Sequence, residues 1–514
     1  MLTLREGEAM ALQRRLLSRP DRLALHAALT DQGRRPDTFL LERSVGPSLL
    51  MNQAAVRIEC RGPSVILIAL TRSGGLVLAT VARRLANRVE SFEADRLALC
   101  FPSVAGDDAE ARLLAPSPFD VVRLLIGLAS RSTEEPFTLA VVGVVAFDQA
   151  DLFEALPANV QDPLDFPDFL FWLAESLIVF EGDAPPRVLC TAFGSDDIAA
   201  AERSYYGAAE RLAALVERCA RVPPLPNPAT PSPNLGEPDV DLDDEAYGDI
   251  VSRLRERIVA GDIYQVVPSR TFSAPCPHPL QTFAAQRALD PSPYQFFVSG
   301  PEHILFGASP ETSVRVFDPV LPKVEVKPIA GTRPRGASDD EDDRLEAEMR
   351  LDRKETAEHM MLVDLARNDV AQVSIGGTRR VAKLMSVERY ARVMPLVSSV
   401  TGTLRPGLDA LHALRACLNA GTLTGAPKIR ATELLRETEE TKRGPYGGAI
   451  GWLNGEGMMD TGVVIRSAVV KDGIAYVRAG AGVVHDSDPQ READETRRKA
   501  SALLSVLAAT GGTR

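Results

Sequence analysis

The stretch VPPLPNPATPSPNLGEPD, from Val222 to Asp239, is Pro-rich, polar and almost free of periodic apolar residues. Proline fixes φ and removes backbone donors, so a run of this kind cannot pass through a packed element and reads as an extended surface connection. It divides the chain near residue 230. The organisation expected from it is an N-terminal region 1–221, a linker 222–243 and a second region 244–514. At roughly 150 residues per domain, 514 residues allow about three domains or two large ones.

On the N-terminal side, SVILIAL and FTLAVVGVVAF read as buried strands, whereas SPFDVVRLLIGLASR and AAERSYYGAAERLAALVERC carry helical spacing. After the linker, DDEAYGDIVSRLRERIVAGD has an acidic start, helical spacing and a terminating Gly261. Strand-like YQVVPSRTF follows. Further strands (HILFGAS, KVEVKPIAG, GGAIGWL, TGVVIRSAVV, IAYVRAGAGVV) alternate with helices expected around 340–370, 408–419, 427–440 and 489–510. The pattern is mixed α and β, without a fixed-period repeat.

Composition narrows the function classes. With 45% hydrophobic and 25% charged residues the chain is an ordinary folded protein. A net charge of −12 argues against a nucleic-acid binder, because phosphate neutralisation needs a basic face. The six cysteines are scattered with no CxxC pair, so neither a zinc site nor a disulfide framework is indicated and a reducing, cytoplasmic setting is expected. MLTLREGEAMALQRRLL lacks the apolar core of a signal peptide and no run of 18 apolar residues occurs, so no membrane association is expected. Only eight of the 58 basic residues are lysines, all at or after Lys323, so a catalytic lysine could come only from the second region.

Two predicted helices carry glutamates three residues apart: Glu355 and Glu358 in KETAEHMMLVDLARND, and Glu492 and Glu495 in QREADETRRK. The spacing puts each pair on one helical face. Two readings stand: a solvated charged face, or, if the helices converge, a carboxylate site for Mg²⁺, a hard ion that prefers oxygen ligands. The glycine-rich stretches GTLTGAPK (421–428) and RAGAGVV (478–484) are likewise either tight turns or backbone cradles for an anion. The first opens a helix at Pro427, whose N-terminus favours carboxylates.

Ten segments in order, GDIYQVVPSR, FGASPE, KPIAGTRPRG, HMMLVDLARND, ERYARVMPLVSSVTG, AGTLTGAPKIRA, RGPYGGAIGW, VVIRS, AGAGVVHDSDP and ADETRRKA, make residues 245–510 resemble the chorismate-utilising enzymes. The likeness is greatest to the large subunit, component I, of anthranilate synthases, whose N-terminal region the first half resembles through LLER (40–43) and SPFDVVRLL. The fold this implies is α/β (α+β), a two-domain sandwich of large antiparallel sheets with helices outside.

The resemblance also assigns roles. Glu358 and Glu495 would ligate Mg²⁺, with Glu355 and Glu492 close behind. Glu311 would be the general acid for the C4 hydroxyl of chorismate. Arg466 and Tyr446 would clamp the enolpyruvyl carboxylate. Gly480, Ala481 and Gly482 would add backbone donors, while Thr422, Lys499 and the turn at Ala330, Gly331 and Thr332 line the rest.

Departures from the family motifs sharpen the expected chemistry. Members that add water at C2 resemble this chain around GDIYQVV but carry a lysine base where Gln265 stands. Those that aminate C4 carry a lysine where Ala330 stands. Amination at C2 remains, with ammonia from a separate glutamine amidotransferase, since none of the six cysteines sits in a glycine-flanked elbow. Anthranilate synthases carry a histidine associated with pyruvate elimination where this chain has Pro395. The expected product is therefore 2-amino-2-deoxyisochorismate, for secondary metabolism. The alternative is anthranilate, formed by an ordinary component I, and a third reading is an inactive chorismate-binding regulatory subunit. Arg43, Asp290 and Gln295 depart from the family's tryptophan pocket, where bulk and unpaired polarity would disfavour an indole. A homo-oligomer is left open.

Overall fold

A computed structural model describes residues 4–511 apart from 103–107, 133, 160, 226, 229, 231–237 and 390–392. Most of the Pro-rich core of the linker, and the RYA of ERYARVMPLVSSVTG, therefore lie outside the described residues.

The architecture is α/β, dominated by one large sheet whose described pairings are antiparallel except for the short contact of Glu8 and Ala9 with Ala129 and Ser130. Its most buried strand, Phe169–Phe180, reads FLFWLAESLIVF and is buried at all 12 positions, the signature of a strand covered on both faces. Along one side it pairs with Ser48–Arg61. Along the other it pairs first with Ala140–Val145 and then with Arg187–Phe193. The one acid in the strand, Glu175, is paired at 2.9 Å with Arg211 of the Ile198–Cys219 helix, as a buried charge requires.

The halves on either side of the linker share this sheet. Thr38–Arg43 pairs with Tyr294–Ser299, and Ala140–Val145 pairs with Ala449–Asn454. The apolar cores follow suit, the largest joining Leu67 and Val141 to Leu414 and Leu453.

Two expected elements differ from the pattern reading. The helix expected over 340–370 is two helices, Asp339–Leu351 and Arg353–Val373. The break falls at Asp352, whose side chain accepts from Glu355 N at 3.1 Å and so restarts the second helix in the manner of an N-cap. YQVVPSRTF likewise divides, because Pro268 has no N–H to continue a ladder. Gln265–Val266 pairs with Gly425–Ala426, and Ser269–Pro275 joins the large sheet against Ile474–Gly480. That first short pairing ties the Gln265 segment to the glycine-rich 421–428 loop. Gly261 sits at φ +84°, the left-handed conformation expected beyond a helix end.

The Arg353–Val373 and Pro489–Thr510 helices carry the two glutamate pairs. His359, fully buried next to Glu358, fixes the first through a 2.6 Å contact of Nε2 with Ser398 Oγ on the Val393–Thr403 strand. The second is capped by Asp488, which accepts from Arg491 N. Arg270, fully buried, pins it by donating to Thr496 Oγ1 and Ala493 O at 2.9 Å each.

Candidate active site

Between these helices and the sheet lies a cavity of about 660 Å³. Glu355 and Glu358 reach it from one helix, Glu492 and Glu495 from the other. Gln265, Glu311, Thr422, Tyr446, Arg466 and Lys499 share its wall, as do Ala330, Gly331, Thr332, Gly480 and Gly482. Fifteen residues singled out from widely separated segments thus meet at one place.

Glu311 is 6% exposed and receives Thr422 Oγ1 on its Oε1 at 2.8 Å. Burial drives its carboxyl up to about 8, against smaller downward pulls from Thr422 and Lys499. At neutral pH it is a protonated acid, able to give a proton to a leaving oxygen. Gln265, 8% exposed, leaves Oε1 without a partner.

Opposite charges gather beside it. Arg466 donates from Nη1 to Lys499 O at 2.7 Å, and Lys499 Nζ donates to Gly480 O at 2.9 Å while pairing with Glu495 at 2.7 Å. Burial pushes the Glu495 carboxyl up, but Lys499, with Arg498 and Arg466, outweighs it and holds the group below its ordinary value. The Tyr446 hydroxyl is driven up by burial and stays protonated as a donor. Glycine is required at 480, where a Cβ would meet the backbone oxygen of Pro268 at 2.6 Å, whereas at 482 a Cβ would meet only the end of the Gln265 side chain, Nε2 at 2.8 Å.

The four glutamates suit a hard cation in kind, and Glu355 Oε2 is buried with no partner. They are not drawn into a compact cluster: among the described residues no three His, Cys, Asp or Glu side chains stand close enough to hold a metal. Glu355 is held by Arg333 at 2.6 Å and Glu495 by Lys499. Gly331, at φ +77°, lets the Glu355 carboxylate come where a Cβ would stand 2.9 Å from Oε2.

Two named residues stand off the wall. The Ala481 N–H faces Pro268 O at 3.2 Å and the Tyr247 hydroxyl at 3.3 Å, so it is not a free donor to the cavity. Pro395 is buried in the Val393–Thr403 strand directly opposite Thr332. The helix opening at Pro427 points its N-terminus elsewhere: Pro427 and Lys428 line a separate cavity, where Lys428 pairs with Asp369 at 2.7 Å.

Arg43 and Gln295 line a third cavity of about 610 Å³, but Asp290 lies on the wall of the main one. Arg43 stacks its guanidinium 3.4 Å from the centre of the Tyr294 ring and pairs with Asp460 at 3.0 Å.

Pattern reading missed the wall's support. Glu439 Oε1 accepts from Ser269 N and Oγ at 2.8 Å each and from Arg443 Nη2 at 2.6 Å, while Oε2 takes Arg478 Nη2 at 2.9 Å. Arg443 continues to Leu423 O at 2.6 Å and Val267 O at 2.7 Å, beside Thr422 and Gln265. Only the placing of Arg443 inside RGPYGGAIGW signalled it.

A sequence model of the family described as chorismate binding enzyme matches residues 91–505. The chain is 45% identical over 472 residues to anthranilate synthase component 1 of Vibrio cholerae, covering 90% of this chain and 88% of that one. It is also 45% identical over 475 residues to the pyocyanine-specific anthranilate synthase component 1 of Pseudomonas aeruginosa, covering 90% and 87%. Among solved structures, anthranilate synthase component I of Streptococcus pneumoniae superposes with a TM-score of 0.70 at 30% identity, covering 90% and 93%.

Proposed function

The chain belongs to the chorismate-binding enzyme family, and from that premise we propose that it aminates chorismate at C2 with loss of the C4 hydroxyl, as the first step of an anthranilate synthase component I reaction. The observation that carries the reading is Glu311, a buried carboxyl raised to about 8 and hydrogen-bonded to Thr422, facing a cavity that also holds four carboxylates and the Arg466 guanidinium.

In this reading Arg466 and Tyr446 hold the enolpyruvyl carboxylate, a planar guanidinium being suited to two parallel hydrogen bonds. Glu311 gives its proton to the C4 oxygen as that group leaves as water. Ammonia adds at C2 and sheds one proton as the ring double bonds shift. Ammonia is already a nucleophile, so Gln265 need not be a base. Glu358 and Glu495, with Glu355 and Glu492 behind them, would hold Mg²⁺, which when bound supplies a Lewis-acid charge against the ring carboxylate. The nitrogen comes from a separate glutamine amidotransferase.

The relatives' names support anthranilate as the final product, formed by elimination of pyruvate. Pro395 is the specific observation favouring the second reading, release of 2-amino-2-deoxyisochorismate, because proline offers no proton acceptor for the elimination. The pyocyanine-specific relative is consistent with a role in secondary metabolism.

The test is incubation with chorismate, Mg²⁺ and either ammonium or glutamine, with products identified by mass. Ammonium-driven product, and none from glutamine until an amidotransferase is added, is the expected result. An inert chain would overturn the reading.

A further inference from the structure

One more buried side chain on the cavity wall has a chemistry that nothing above uses. Gln286 lies in the Pro279–Leu289 helix, is 3% exposed and borders the cavity. Its Nε2 donates to the backbone oxygen of Arg466 at 2.7 Å, whereas its own Oε1 is buried without a partner.

Arg466 stands in an unusual backbone conformation, with φ at +51°. The left-handed region is unfavourable for a residue with a side chain, and it persists only where surrounding contacts over-determine it. Here the contacts are few and identifiable. The Arg466 carbonyl accepts from Ala308 N at 3.2 Å and, more closely, from Gln286 Nε2. At the other end of the residue the guanidinium is tied to Lys499 O at 2.7 Å. Gln286 thus supplies the shorter of the two bonds to that carbonyl, and does so from a helix that also ends beside the site, at Asp290.

We propose that Gln286 is a positioning residue for Arg466: its amide N–H holds the Arg466 backbone left-handed, so that the guanidinium is aimed into the cavity before a carboxylate arrives. Pre-organisation of this kind is felt mainly in substrate affinity, since the ordering is done in the free protein. The amide is oriented by this bond, with Oε1 turned into the protein interior and left without a partner. Among the acidic neighbours that act on Arg466, Asp290 exerts the largest attraction, ahead of Glu495. One helix therefore fixes both the backbone and the charge surroundings of the clamp. The inference rests on the chorismate reading above.

The experiment is a double-mutant cycle read as kcat/KM for chorismate, with saturating ammonium and Mg²⁺ and product counted by mass. Gln286→Met keeps the length and removes the donor. It is expected to raise KM about tenfold with kcat within about threefold, and to cost less than about twofold when placed in an Arg466→Ala chain, because coupled residues are not additive. Gln286→Glu keeps the shape but sets acceptors against the Arg466 carbonyl, and is expected to raise KM further, which serves if the Met variant folds poorly. A tenfold loss in both backgrounds, a fall in kcat alone, or unchanged kinetics in both variants would overturn the inference. A parent chain that turns over no chorismate would instead sink the proposed function.

Discussion

Pro395 stands directly opposite Thr332 in the antiparallel pairing of the Ile329–Pro334 and Val393–Thr403 strands. Proline is rare inside a sheet because it cannot donate to the ladder. Here the neighbouring registers are already irregular, shifting between Ile329 and Thr332 on one side and between Lys383 and Ser386 on the other. Opposed residues in such a pair point to the same face, and Thr332 is on the cavity wall. A longer side chain at 395 would emerge beside it.

That geometry gives Pro395→His a definite expected outcome. If the parent chain releases a non-aromatic product that retains the enolpyruvyl group, the histidine should raise anthranilate fluorescence and pyruvate together, by up to the roughly 10²- to 10⁴-fold that a general base supplies. Stoichiometric anthranilate and pyruvate from the parent chain would show that another group serves the elimination.

The raised carboxyl of Glu311 sets the pH dependence. Its acid form exists below about 8, so kcat should fall as pH rises through that value. Stability moves the same way. Between 4.5 and about 8 an unfolded chain has lost a proton that the folded chain keeps, so folding weakens as pH rises. Glu311→Gln should cut turnover by roughly 10²- to 10⁴-fold, and should also shrink the difference between urea midpoints measured at pH 5 and pH 8. A variant that retained both turnover and the parent's pH-dependent midpoint would remove Glu311 from the acid role.

Metal removal gives the third outcome. Chelation is expected to abolish turnover, and Mg²⁺ to restore it. Glu358→Gln or Glu495→Gln should lose most Mg²⁺-dependent activity with the circular dichroism spectrum unchanged. Full activity in both variants would dismiss these two as ligands.

Much of the site was legible because it is written in short-range pattern. The i, i+3 spacing of Glu355 with Glu358 and of Glu492 with Glu495 requires only that each segment be helical, and the likeness to known motifs supplied the convergence that spacing cannot. What was illegible depends on backbone geometry and on partners distant in sequence. Nothing local to Gln286 signals that it meets a carbonyl 180 residues away. The N–H of Ala481 sits in a glycine-rich stretch that looks open, yet it is turned toward Pro268 and Tyr247. Asp352 reads as one more acidic residue in a long helix until its side chain is seen accepting from Glu355 N.

The buried triad of Glu439, Arg443 and Arg478 offers the last test, because it separates what holds the wall from what performs the chemistry. Burial alone would push the Glu439 carboxyl up, but Arg443 and Arg478 outweigh it and hold the group below its ordinary value. Its contribution to stability is therefore present above the ordinary carboxylate range and is lost as pH falls through the lowered value. Glu439→Gln leaves two guanidinium groups facing a neutral amide at the buried side of the cavity wall. Removing one partner of a buried pair typically costs about 3–5 kcal/mol, most of it from the charge left uncompensated. Urea unfolding at pH 7 should show that loss. Activity at temperatures where the variant is folded should fall too, since Arg443 also holds Leu423 O and Val267 O beside Thr422 and Gln265. Glu439→Asp keeps the charge and should recover part of both. An unfolding midpoint unchanged by Glu439→Gln would mean that the arginines find other partners and that the wall does not depend on this carboxylate.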